Sequence, residues 1–310
     1  MRTQDAPRLR PWPVFIAFVL ALPVAMLLAA VTAPWVQAAL APIAIFPLHR
    51  VFSRLTMLGV ILLMAWLMWR YRIADRATLG YSGPSKRFLA RMLTGLAAGI
   101  ALMLIAVIPL FLLDVREWHA RAPDALQGWI LLALKGLGSG LAVALIEETF
   151  FRGAMQGALR RAGAMRMALL AVPVYYAAVH FLGRAASVPY EEVDAFSGFT
   201  ALSGFFAGFA EPLRIVDAFV ALWFVGLLLA LVRERWGDLA GCIGLHAGFV
   251  MVIAMFRRVS APAPESEFSF LVGSFDGLLG IWICLLTAIA CLLVWRGRSA
   301  APAAAADFRA

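Results

Sequence analysis

Leu145-Ile146-Glu147-Glu148-Thr149-Phe150-Phe151-Arg152-Gly153 sets two acids and an arginine against the end of a long apolar run. Ionisable side chains in such a setting are costly and mark functional positions by default. Read as a helix, the stretch places Glu148 and Arg152 at i,i+4, where they neutralise each other, and turns Glu147 about 100° away around the axis. Glu147 is left without a local partner. A lone carboxylate on an apolar helix makes the fold class and the chemistry one question: whether the rest of the chain builds a membrane bundle around it.

The composition says that it does. Hydrophobic residues make up 63% of the 310, charged residues 15%, and the mean hydropathy is +0.88, far from soluble-domain averages. The expected fold is an all-α, polytopic membrane helix bundle. A formal charge of +9 is then explained by basic loops on the cytoplasmic side rather than by nucleic acid, which is excluded as a partner. The three cysteines lie in apolar stretches without a CxxC, so neither a disulfide framework nor a zinc ribbon is indicated. Arg2, Arg8 and Arg10 precede an apolar run from Trp12 to about Val31; the run is long enough to span, and a retained first helix is expected rather than a signal peptide.

Apolar runs predict about eight transmembrane helices, near 12–31, 55–69, 92–113, 139–159, 167–182, 216–232, 239–256 and 270–295. With both termini inside, 17 of the 27 Lys and Arg fall in inside segments, 9 outside, and Arg152 within a span. That excess predicts an N-in/C-in orientation. Residues 34–48 and 127–138 are apolar but short, expected to lie on the membrane surface or to extend neighbouring spans. Gly136, Gly138 and Gly140 allow either a bend or a close helix approach. The long connection 183–215 is aromatic and glycine-rich, read either as a re-entrant segment roofing a cavity or as a surface loop. The tail Ala300–Ala306 reads as disordered.

Of four histidines, His49 and His119 fall in polar loops, while His180 and His246 sit inside apolar segments. Counted from Arg160, Arg166 and Trp236, the residues Glu147, His180 and His246 stand about 20, 21 and 15 Å from the cytoplasmic interface at 1.5 Å per residue. They can therefore converge. A desolvated carboxylate can take a proton from water, which suits Glu147 to general-base hydrolysis; His180 can share that activation, and His246 can stabilise or protonate the tetrahedral species. This chemistry needs no cofactor. The same three residues also form an acceptable zinc set, with Cys242 at i−4 from His246 as a further ligand, and that alternative stays open.

Glu147-Glu148-x-x-x-Arg152, then Tyr176-x-x-x-His180, then His246, resembles the CPBP family of intramembrane proteases, which includes CAAX prenyl endopeptidases and bacteriocin self-immunity proteins. The resemblance covers roughly 127–255, and divides the chain into N-terminal helices (1–126), a catalytic core (127–255) and a last helix with its tail (256–310). It implies a helical membrane fold with a cytoplasm-facing cavity, a glutamate-activated water, and cleavage of a membrane protein or peptide near its C-terminus. It makes Glu147 the catalytic acid, supported by Glu148, Arg152 and Tyr176, with His180 and His246 as polar companions. Two positions depart from the family: Tyr176 stands for the usual phenylalanine, and Val250 for an asparagine four residues after the last histidine. The chain has no asparagine at all. Other readings are a non-catalytic protease-like scaffold or immunity protein, and a proton-coupled transporter. A multi-pass protein of a bacterial cell membrane is expected; substrate and oligomeric state are not specified by these residues.

Overall fold

The computed structural model describes residues 9–119, 122–263 and 265–299, with side chains to residue 297. Arg2, Arg8, Arg121 and the Ala300–Ala306 tail lie outside the described residues. Among those described, six helices are long and apolar enough to cross a membrane: α1 (Pro11–Leu40), α2 (Leu48–Arg70), α3 (Ser85–Leu112), α4 (Leu126–Arg161), α6 (Val216–Trp236) and α7 (Ala240–Val259). Two shorter apolar helices, α5 (Met165–Val179) and α8 (Ile281–Ser299), complete the bundle. Each overlaps a predicted span, and the protein is an all-α polytopic membrane bundle in which six of the eight predicted spans reach membrane-crossing length among the described residues. A single two-stranded ladder, β1 (Arg116–Trp118) against β2 (Ser260–Pro262), is the only sheet among the described residues.

Several boundaries differ from the sequence expectation for identifiable reasons. α1 continues through Pro34 to Leu40, and α4 starts at Leu126, so 34–40 and 127–138 extend their neighbouring spans. α8 starts at Ile281 rather than near 270. The run Val272-Gly273-Ser-Phe-Asp276-Gly277-Leu-Leu-Gly280 turns instead, with Gly277 at φ 68° and the Asp276 carboxylate accepting from the N–H of Leu278 and Leu279. Segment 183–215 folds into short helices, chiefly Ser197–Ser203, that pack on α1 and α2; a Cβ at Gly198 would lie 1.8 Å from the Ala30 oxygen. It contributes no lining residue to the histidine cavity described below; its Tyr190, Val193, Asp194 and Ala195 line a separate cavity against the end of α1.

α7 is the most buried span and is clasped between α3 and α4 by small residues. A Cβ added at Gly95 or Gly99 would meet the Gly241 or Leu245 carbonyl at 2.4 or 2.3 Å, and one at Gly140 the Ala247 carbonyl at 2.6 Å. Gly136 and Gly140 thus serve close approach, while Gly138 faces nothing within 4 Å and α4 does not bend there. In lipid, where apolar surface alone does not drive helices together, such backbone proximity supplies the packing. Gly244 is the tightest of the α7 glycines, its virtual Cβ 1.9 Å from the Met92 oxygen. Gly244→Ala is expected to cost about 1–3 kcal/mol by overpacking, read as a lower Tm of the detergent-solubilised protein; an unchanged Tm would contradict this packing.

Alternation of the helices gathers three connections at one end of the bundle. Arg161 reaches the Arg72 carbonyl at 2.5 Å and Asp75 at 3.7 Å, Arg91 binds the Trp236 carbonyl at 2.6 Å and the Asp238 carboxylate, and Arg233 reaches the Thr78 carbonyl at 3.3 Å. Asp75 also caps the short helix Arg76–Leu79, accepting from the Thr78 N–H at 2.8 Å. Slight burial pushes its carboxyl up, but the Thr78 bonds and the Arg161 charge outweigh that and hold it below the usual carboxylate range. The cap is therefore complete above the ordinary carboxylate pKa and is lost only as pH falls through the lowered one. These are the basic segments that the charge count groups on the cytoplasmic side.

Candidate active site

α4 changes character directly after Glu148: Thr149–Met155 winds as a π-helix before α-helical geometry resumes at Gln156. Single π turns inside α-helices are frequent at functional sites. The wide turn packs Phe151, Arg152, Gly153, Ala154 and Met155 inward, and Gly153 and Gly157 lie against the carbonyls of Leu79 and Thr78. The Thr149 hydroxyl is bonded to that of Tyr81, tying the start of the turn to the loop before α3.

The expected i,i+4 pair survives this distortion. Arg152 Nη1 lies 3.2 Å from Glu148 Oε1, both side chains fully buried. Arg152 Nη2 donates to the Gly226 carbonyl at 3.0 Å, and its guanidinium carbon lies 4.4 Å from the Tyr176 ring centroid. Gly226 has to be small there, since a Cβ would meet Tyr176 at 3.0 Å and Pro173 at 3.1 Å. Two apolar helices thereby hold an arginine in place with a carbonyl and a ring face.

His246 enters from α7. Its Nδ1 lies 2.7 Å from Glu148 Oε1 and its Nε2 4.0 Å from Glu147 Oε2. The carboxylate accepts, so Nδ1 carries the proton and Nε2 faces Glu147. This corrects the simple division of the acids. Glu148 belongs to both Arg152 and His246, whereas Glu147 has only the longer approach to His246. Glu147 Oε2 is buried without a hydrogen-bond partner although the side chain as a whole is 30% exposed.

His180 ends α5 as its C-cap rather than lying within the span. Its Nδ1 is 2.7 Å from the Tyr176 carbonyl oxygen, which requires Nδ1–H and leaves Nε2 as an acceptor if the ring is neutral. The Tyr176 ring lies 4.4 Å from the His180 ring and 6.3 Å from the His246 ring. All six residues singled out in the sequence, Glu147, Glu148, Arg152, Tyr176, His180 and His246, therefore form one contiguous cluster linking α4, α5 and α7.

No group of three His, Cys, Asp or Glu among the described residues is arranged to hold a metal ion. Each histidine has Nδ1 bonded to a protein oxygen and its Nε2 without a hydrogen bond among the described residues, while the Cys242 thiol donates to the Leu229 carbonyl at 3.2 Å.

A cavity of about 250 Å³ opens beside the cluster. Tyr176, His180, His246 and Val250 line its inner end, apolar side chains of α3, α6, α7 and α8 its walls, and the Arg257–Asp276 ion pair, 2.6 Å long, its far end. That far end is the one away from the Arg91–Asp238 rim. A cytoplasm-facing cavity and a cytoplasmic basic rim, both expected from the sequence, thus do not both describe this cavity.

Sequence reasoning missed the extension of the buried polar face along α4. Gln156 Nε2 reaches the Ala230 carbonyl at 3.2 Å and Glu234 at 2.8 Å, and Arg160 lies 3.6 Å from the same Glu234. The four-residue spacing of Glu148, Arg152, Gln156 and Arg160 is the signal that shows it.

Residues 129–252 match the family model of the Rce1-like type II CAAX prenyl endopeptidases. No curated protein and no solved structure matches the chain significantly. The matched segment runs from α4 to α7 and holds all six residues of the cluster. Through this core the chain is similar to the Rce1-like type II CAAX prenyl endopeptidases.

Proposed function

We propose that the protein hydrolyses a peptide bond with a water activated by Glu147. The similarity of residues 129–252 to CAAX prenyl endopeptidases supports a membrane-embedded endopeptidase in general terms; the mechanism rests on one observation, the buried and unpartnered Glu147 Oε2 only 4.0 Å from His246 Nε2. Two groups at that separation can both lie about 2.8 Å from a single water at the apex of the triangle they form. Glu147 takes the water proton as the oxygen attacks the carbonyl carbon, and returns it to the leaving amine when the C–N bond breaks. Glu148 fixes the tautomer and orientation of His246, as a buried carboxylate does for a catalytic imidazole. Arg152 holds Glu148 in place. His180, with Nδ1 tied to the Tyr176 carbonyl, offers Nε2 as an alternative to His246 Nε2 for the water's second hydrogen. The apolar cavity suits the side chains of a membrane-associated peptide, and the bilayer is the medium in which it is met.

This route needs only side chains of the chain itself. Cleavage of an internally quenched peptide ending in a farnesylated Cys-aliphatic-aliphatic-Xaa sequence, or of the same peptide without the lipid, is expected to proceed at an unchanged rate in excess chelator. Loss of activity restored by added zinc would overturn the metal-free mechanism.

A further inference from the structure

We propose that the Tyr176 hydroxyl is the electrophilic donor of this site, hydrogen-bonding the oxygen that becomes negative when water adds to the substrate carbonyl. The inference rests on the hydrolytic reading above and adds the group that reading lacks. General-base attack builds charge on the carbonyl oxygen, and a preorganised donor aimed there is commonly the largest single contribution to such a reaction.

The polar groups lining the cavity are few, and all but one are engaged or remote. The Thr287 hydroxyl donates to the Ile283 and Cys284 carbonyls at 2.7 and 3.2 Å. Arg257 is paired with Asp276, and eleven residues along α7 separate it from His246, about 16 Å of helix. His180 and His246 have Nδ1 bound to the Tyr176 carbonyl and to Glu148. One turn past His246, Val250 presents only methyl groups to the cavity. Tyr176 remains. Its side chain is 2% exposed and lines the cavity, and among the described residues its hydroxyl makes no hydrogen bond.

The ring is fixed on several sides. The Arg152 guanidinium covers it at 4.4 Å, Phe151 meets it edge-on at 5.3 Å, and the His180 ring lies 4.4 Å away. A donor held this rigidly needs little reorganisation as charge develops, which is the condition for a large effect. In the step itself, the water O–H bond breaks with its proton going to Glu147, the new C–O bond forms, and the carbonyl π pair moves to oxygen. Tyr176 donates a hydrogen bond to that oxygen without giving up its proton. When the carbonyl reforms, the C–N bond breaks and Glu147 protonates the amine.

Tyr176→Phe isolates the hydroxyl, because phenylalanine keeps the ring faces against Arg152, Phe151 and the histidines. With the two quenched peptides as probes, the variant is expected to lose about 10²–10³ in kcat with KM and Tm nearly unchanged. Tyr176→Phe with Val250→Asn, which offers an amide donor from the neighbouring turn of α7, is expected to recover part of the loss. Wild-type kcat in Tyr176→Phe alongside an inactive Glu147→Gln overturns the Tyr176 assignment and leaves hydrolysis standing. Cleavage of neither peptide by the wild-type protein, or full activity in Glu147→Gln, counts instead against the hydrolytic reading itself.

Discussion

Glu147→Gln is expected to lower cleavage of the quenched peptides by about 10²–10⁴-fold, the range that a positioned general base supplies, while leaving peptide binding and Tm close to wild type. The separation of effects follows from the contacts. Glu147 has no hydrogen bond to lose: its nearest basic atom is His246 Nε2 at 4.0 Å, and its Oε2 is unpartnered. Glutamine has the same shape and cannot accept the water proton. Retained binding with lost cleavage separates the enzyme from a protease-like scaffold, whose binding and biological effect would both survive the change. A transporter would show the opposite signature, with proton-coupled uptake lost and no cleavage by the wild type. Peptide binding and turnover measured on one preparation decide among the three.

The second large effect falls on the fold. Arg152→Leu is expected to destabilise the protein by about 3–5 kcal/mol, since breaking a buried pair strands the other charge. Glu148 would keep only His246 as a partner, and the Gly226 carbonyl would lose its donor. The protein should then be recovered in low yield with a much lower Tm. Replacing both partners, Arg152→Leu with Glu148→Gln, removes the stranded charge and should regain most of the Tm, because paired removal of a buried ion pair is often close to neutral. The double variant should stay poorly active, since His246 no longer has a carboxylate to hold its tautomer. An Arg152→Leu protein as stable as wild type would show that Glu148 is not held as an anion by this pair.

Much of the site was legible in the sequence because ionisable residues in apolar segments are so few. Glu147, Glu148, Arg152, His180 and His246 stand out against 63% hydrophobic residues, and helical rise alone placed three of them at compatible depths. The Glu148–Arg152 pair followed from i,i+4 spacing and survived the π turn that spacing did not reveal. The bond from Glu148 to His246 was not legible: it joins residues 98 apart, and nothing local distinguishes which acid an incoming imidazole will meet. The bundle itself was clear from hydropathy, but the start of α8 was not, because the apolar residues of Val272–Gly280 run on into the helix while its glycines and Asp276 turn the chain aside. The clasp of α7 by α3 is written in Gly95, Gly99, Gly244 and Gly248 on helices far apart in the chain. It becomes readable only once the carbonyls facing each glycine are known.

Activation of water at Glu147 is the central step of the proposed reaction. The direct measurement is the mass of the newly formed C-terminus when purified protein in lipid nanodiscs cleaves the quenched peptide in ¹⁸O-labelled water. Wild type should place one labelled oxygen in the new carboxylate, and Glu147→Gln should yield essentially no labelled product over the same interval. Equal amounts of labelled product from the two proteins would contradict the assignment of Glu147 as the base.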